Sequence, residues 1–143
     1  METPQEHNKR QVVNVIRVIL IVAAVLFILL AAFFVFKVHS EGRMALREAK
    51  NIKLALITAD IEMYGVGKTI YAPEHHNGLA DGVAEKLERY AGTSEGITLL
   101  SYNRTTREVA MFTYTTPHYL VRYEYDGVEE KWTVDYMWRI FVY

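Results

Sequence analysis

From Val18 to Phe36 the chain reads VILIVAAVLFILLAAFFVF, nineteen residues with no charge, no Gly and no Pro. At 1.5 Å per residue such a helix reaches ~28 Å, close to the ~30 Å hydrocarbon core of a bilayer. Fifteen of the nineteen are Val, Ile, Leu or Phe, which gives about −7 kcal/mol on an insertion scale with nothing to oppose it. The pattern predicts a transmembrane helix anchored in the lipid bilayer by Val18, Leu20, Val25, Leu26, Phe27, Leu30, Phe34 and Phe36. Lys9, Arg10 and Arg17 precede the run as in a signal peptide. But a signal h-region is ~7–15 residues and ends in a small-x-small site, whereas this run ends Phe33-Phe34-Val35-Phe36-Lys37. An uncleaved anchor is expected.

After Lys37 the period becomes that of a helix with one buried stripe. Ala45, Ala49, Ile52, Leu56, Ala59 and Met63 recur at spacings of three and four, with Arg47, Lys50, Lys53, Asp60 and Glu62 largely off that stripe. Leu54, Ile57 and Ile61 widen the apolar face, so this helix is expected to be well covered by another element. Gly42 costs a helix only ~1 kcal/mol relative to Ala, so one continuous helix from about residue 12 to 64 is expected, with a soft point near Gly42. Residues 65–78 read as a loop, with Gly65, Gly67, Pro73 and Asn77-Gly78. A short helix is expected over 79–90, ended by Gly92.

From Gly96 the period falls to two. Strands are expected over 97–102, 108–115, 119–125 and 130–136, with turns at Asn103-Arg104-Thr105-Thr106, Thr116-Pro117 and Asp126-Gly127. Ile140–Tyr143 extends the last strand or adds a short one. Short connections predict an antiparallel meander, whose apolar face needs the 45–63 helix as its cover. The expected fold class is therefore α+β: a transmembrane helix continuing into an amphipathic helix packed on a four-stranded sheet. The division is a polar head over 1–17, the span over 18–36, and one domain over 37–143.

That domain carries thirteen Lys or Arg against fifteen Asp or Glu, so it lacks the basic surface of a nucleic-acid partner. The chain has no Cys, hence neither a disulfide framework nor a thiolate site. Three basic residues precede the span, and Lys37, Arg43, Arg47 and Lys50 follow it, so the positive-inside count is nearly tied. Long domains translocate largely regardless of charge, which favours a cytoplasmic N-terminus and an extracytoplasmic C-terminal domain at the cell membrane.

In architecture the Val18–Phe36 span, the stretch Arg47-Glu-Ala-Lys-Asn-Ile-Lys-Leu-Ala-Leu and the strands from Ile97 to Tyr136 resemble the type IV pilin and pseudopilin family. The resemblance implies a structural subunit of a type IV pilus or type II secretion-like apparatus, with other membrane or pilin-like subunits as partners. The family places a Gly, then an N-methylated Phe or similar residue, then a Glu at the head of the apolar run. This chain opens the run Asn14-Val15-Ile16-Arg17-Val18-Ile19, with no Gly before it and a cation at Arg17. The resemblance thus implies an unprocessed, minor or diverged member that stays in the membrane.

Other constellations have plainer readings. Gly67-Lys68-Thr69 resembles a P-loop tail, but Glu62 stands where the first Gly belongs and a helix stands where a strand belongs. Glu74, His75 and His76, with His118 as a distant ligand, offer a poorer chelate than histidines at i, i+4 on a helix, so solvated loop residues are expected and no metal. Asn103-Arg104-Thr105 fits a glycosylation sequon, and Asn is equally a good turn residue. Glu129 and Glu130 read as a solvated edge. Seven of ten Tyr and both Trp lie between Tyr102 and Tyr143; the inward set reads as core, and Trp138 and Tyr143 as a candidate partner surface. No Ser/His/Asp arrangement has motif context, so no catalytic residue, cofactor or enzymatic activity is expected. The alternative function is a membrane-anchored module that senses a ligand or envelope component.

Overall fold

A computed structural model describes residues 4–137 of the protein. The Ile140–Tyr143 extension lies outside the described residues. One helix, α1, runs from Pro4 to Gly65 and passes through Ser40-Glu41-Gly42 without a break. The chain falls into two compact units, Met1–Ser40 and Glu41–Tyr143.

In the first unit, α1 is apolar around its whole circumference along the span. From Val12 to Phe36 its large hydrophobic side chains are all half or more exposed. It is the one helix among the described residues long and apolar enough to be a candidate membrane span.

In the second unit, β1 (Ile97–Asn103), β2 (Glu108–Thr115), β3 (Tyr119–Tyr125) and β4 (Glu130–Tyr136) form a sheet of order β1-β2-β3-β4, every neighbour antiparallel. This is the expected meander in an α+β fold. Its turns rest on short acceptors: Asn103 Oδ1 accepts from the N–H groups of Thr105 and Thr106, and Asp126 Oδ1 from those of Val128 and Glu129. β1 departs from strict alternation. The register shifts between Leu99 and Tyr102, a bulge that turns both of these side chains inward while Leu100 and Ser101 face out.

The helix contributes small side chains to the core and the sheet contributes large ones. Ala45, Ala49, Ala55 and Ala59, with Ile52, Leu56 and Met63, are buried in one cluster with Tyr102, Phe112, Tyr114, Tyr119 and Tyr123. The alanines take up little of the space between helix and sheet, and the aromatic rings fill it. Gly42 belongs to the same logic: a Cβ there would meet the Tyr119 ring at 3.4 Å. Tyr123 lies 4.7 Å from Trp132 and 5.4 Å from Phe112, ring centre to ring centre, tying β4 to β2 across β3. Trp132 and Val134 are only half-buried, because β4 is a sheet edge.

Two expectations change here. The second helix, α2, spans Val83–Ala91 and not 79–90. Leu79 instead pairs with Tyr71 in an isolated bridge, and Gly82, at φ 80°, is the turn from which α2 starts. The loop over 65–78 is also less open than its composition suggests, since Ile70 and Ala72 are buried.

Candidate interaction surface

Asp60, which the sequence places largely off the helical stripe, is the one buried charged or polar side chain among the described residues, at 6% exposure. Its carboxylate accepts from Arg107 Nε at 3.1 Å, Arg107 Nη2 at 2.7 Å and Tyr102 Oη at 2.8 Å, and its backbone carbonyl accepts from Arg107 Nη2 at 3.1 Å. A buried carboxylate is tolerable only with such a complement of donors. Arg107 reaches it from the β1–β2 turn with φ 57°, the only positive φ outside glycine among the described residues. Its guanidinium also lies 4.5 Å from the centre of the Tyr64 ring. This lock clamps the end of α1 to the β1–β2 turn. Forty-seven residues separate its partners, so no local signal in the sequence marks it.

Further polar staples follow along the helix. Glu48 accepts from Tyr114 Oη at 2.9 Å. Lys53 pairs with Glu130 on β4 and sits 4.7 Å over the Tyr123 ring, so Glu130 is a structural contact and not merely a solvated edge. Glu62 accepts from both Lys86 and Tyr90 and so attaches α2. Burial, and then the hydrogen bonds to Asp60 and Glu48, push the Tyr102 and Tyr114 hydroxyls up to about 12. A tyrosine held neutral in the fold stabilises it fully below the unfolded-chain value near 10, and that contribution is lost as pH rises toward 12. Stability followed by circular dichroism should accordingly fall between about pH 10 and 12, and Tyr102→Phe should flatten that fall.

The opposite face of the helix is bare. Leu54 is 62% exposed, Ile57 41%, Ile61 67% and Tyr64 65%. The expected cover over the helix is thus there for one stripe only: the sheet takes the alanine stripe, and Leu54, Ile57 and Ile61 point away from it. Their spacing of three, four and three forms one continuous seam. Toward the N-terminal side the same seam continues through Lys50, Arg47 and Arg43, all exposed. Among the described residues, Arg43 and Arg47 have no carboxylate partner. Lys50 Nζ lies 5.9 Å from the Trp132 ring.

Elsewhere, the anchor residues Val18, Leu20, Val25, Leu26, Phe27, Leu30, Phe34 and Phe36 all lie on α1, each half or more exposed. Trp138 and Tyr143 lie outside the described residues. His75 Nδ1 lies 2.8 Å from the Leu79 carbonyl, and His118 stacks on Tyr136 at 6.4 Å. No three metal-ligating side chains converge among the described residues. Gly67-Lys68-Thr69 begins in the Val66–Gly67 turn that follows α1, with no strand before it. A cleft of the second unit, about 480 Å³, is open and is lined by Ser101, Met111, Glu124, Asp126, Glu129 and Lys131 among others.

The most developed feature of the folded unit is therefore a surface, an exposed seam on a helix held rigid from behind. Compared with protein-family profiles, curated proteins and solved structures, the chain matches none.

Proposed function

We propose that the protein is a single-pass, membrane-anchored structural and interaction subunit of pilin-like type, working within a pilus or secretion-like assembly with its N-terminus cytoplasmic and its folded unit outside. The observation that carries this reading is the division of labour along α1. Along the span the helix is apolar all round and exposed, while beyond Glu41 an inner stripe is sealed against the sheet and an outer seam is left bare. A helix apolar on every side needs lipid or other helices around it. A helix clamped to its sheet by Asp60, Glu48 and Lys53 presents its outer seam as a fixed surface.

The test is extraction of the full chain from native membranes in mild detergent. Stoichiometric recovery with other membrane subunits is expected. Recovery of the chain alone would count against an assembly role.

A further inference from the structure

We infer that the exposed seam of α1 from Arg43 to Tyr64 docks a partner helix that carries carboxylates opposite Arg43, Arg47 and Lys50 and aliphatic side chains opposite Leu54, Ile57 and Ile61. The inference rests on the reading of the chain as an assembly subunit and adds to it the chemistry of the partner.

The apolar half sets the scale. Leu54, Ile57, Ile61 and Tyr64, exposed by 62, 41, 67 and 65%, together offer on the order of 450 Å², the size at which a contiguous patch marks an interaction site. A stable interface takes about 800 Å² from each partner. The patch supplies little more than half, so the rest must come from the flanking residues in line with it, which are Lys50, Arg47 and Arg43.

Those three cations decide the kind of partner. A second copy packed in parallel and in register would set Arg43, Arg47 and Lys50 against themselves, a row of like charges. An antiparallel copy centred on Leu54 would lay Arg43 and Arg47 against Tyr64 and Ile61, burying cations with no anion to meet them. The seam itself holds no anion: Glu48, Asp60 and Glu62 lie off it and turn to Tyr114, to Arg107 with Tyr102, and to Lys86 with Tyr90. A membrane surface also fits poorly, since an interfacial helix separates its basic and apolar residues around its circumference, whereas this seam separates them along its axis. A helix with acidic residues at one end and aliphatic ones at the other satisfies both halves, and the charge pattern rejects the wrong register.

The probes are two synthetic four-heptad helical peptides with Leu opposite Leu54, Ile57 and Ile61, identical except for Glu or Lys at the three positions facing the cations. Binding is measured by fluorescence anisotropy to the full chain in nanodiscs. The Glu peptide is expected to bind about tenfold tighter or more than the Lys peptide, with the gap narrowing at ~0.5 M salt. Ile61→Asn, an exposed substitution that should leave the melting curve unchanged, is expected to weaken the Glu peptide about tenfold. Equal affinities, or no binding of either peptide, overturn the inference. So does efficient disulfide-linked dimerisation of an Ile61→Cys chain, which would assign the seam to a second copy. Vesicle binding that Ile61→Asn abolishes, in the absence of peptide, would overturn it in favour of a lipid surface. Subunits that co-purify from detergent while the peptides show no preference refute this inference alone, and a chain recovered alone refutes the assembly reading whatever the peptides do.

Discussion

Asp60→Ala is expected to destabilise the folded unit by about 3 kcal/mol, within the range for breaking a buried charged pair. The substitution removes the acceptor for three side-chain donor contacts at once. It takes away the acceptor of the Tyr102 hydroxyl in the core and leaves the Arg107 guanidinium, its side chain 29% exposed, without its counter-charge. At roughly 4–8 °C per kcal/mol for a domain of this size, the melting temperature should drop by about 15 °C in a thermal scan of the detergent-solubilised chain. The double variant Asp60→Leu with Arg107→Met should recover much of the loss, because the cost lies mainly in the stranded partner. A single variant that melts within about 1 °C of the parent would show the lock to be energetically idle.

Gly78→Ala is expected to cost about as much by a different route. Gly78 sits at φ +68°, and a Cβ there would lie 1.9 Å from the Leu99 carbonyl oxygen. Neither neighbour can step aside cheaply. The Leu99 N–H donates to the Asn77 carbonyl at 2.8 Å, and Ala72 N–H donates to the Gly78 carbonyl at 3.0 Å, so the loop and β1 are held together on both sides of the contact. Left-handed strain of ~1–2 kcal/mol and a backbone clash of ~1–3 kcal/mol combine to about 3–4 kcal/mol. Gly67 provides the matched control, with φ +72° and nothing within 4 Å of the point a Cβ would occupy. Gly67→Ala should show the strain alone, about 1–2 kcal/mol. Equal losses at the two positions in chemical denaturation would mean that the close approach to Leu99 contributes nothing.

The meander is legible in the sequence because its signals are local. Three strands, Glu108–Thr115, Tyr119–Tyr125 and Glu130–Tyr136, begin and end where alternation and turn residues place them, and the stripe Ala45–Met63 is buried at each position named. What stays hidden is non-local or depends on competition. The bulge at Leu100–Ser101 lets Leu99 and Tyr102 share a face three residues apart, which simple alternation forbids. The Asp60–Arg107 pair joins a helix to a turn far along the chain, where nothing in spacing signals it. Leu54, Ile57 and Ile61 escape prediction for a third reason: hydrophobicity argues for burial, but the sheet has room for one stripe, and its large aromatic rings fit against the alanines. Their exposure turns an apparent excess of core residues into the candidate interface.

If α1 is both anchor and scaffold, it must hold the folded unit outside the membrane, and a single thiol can report both properties. The chain contains no Cys, and Thr105 is exposed in the β1–β2 turn, so a Thr105→Cys chain carries one reactive group at a known place. Intact cells are treated with a membrane-impermeant maleimide, and their membranes are then washed with alkaline carbonate. The expected result is label incorporated before lysis on a chain retained in the washed membrane. A chain released into the wash would contradict the anchoring role of α1, and one labelled only after lysis would contradict the extracytoplasmic placement of the folded unit.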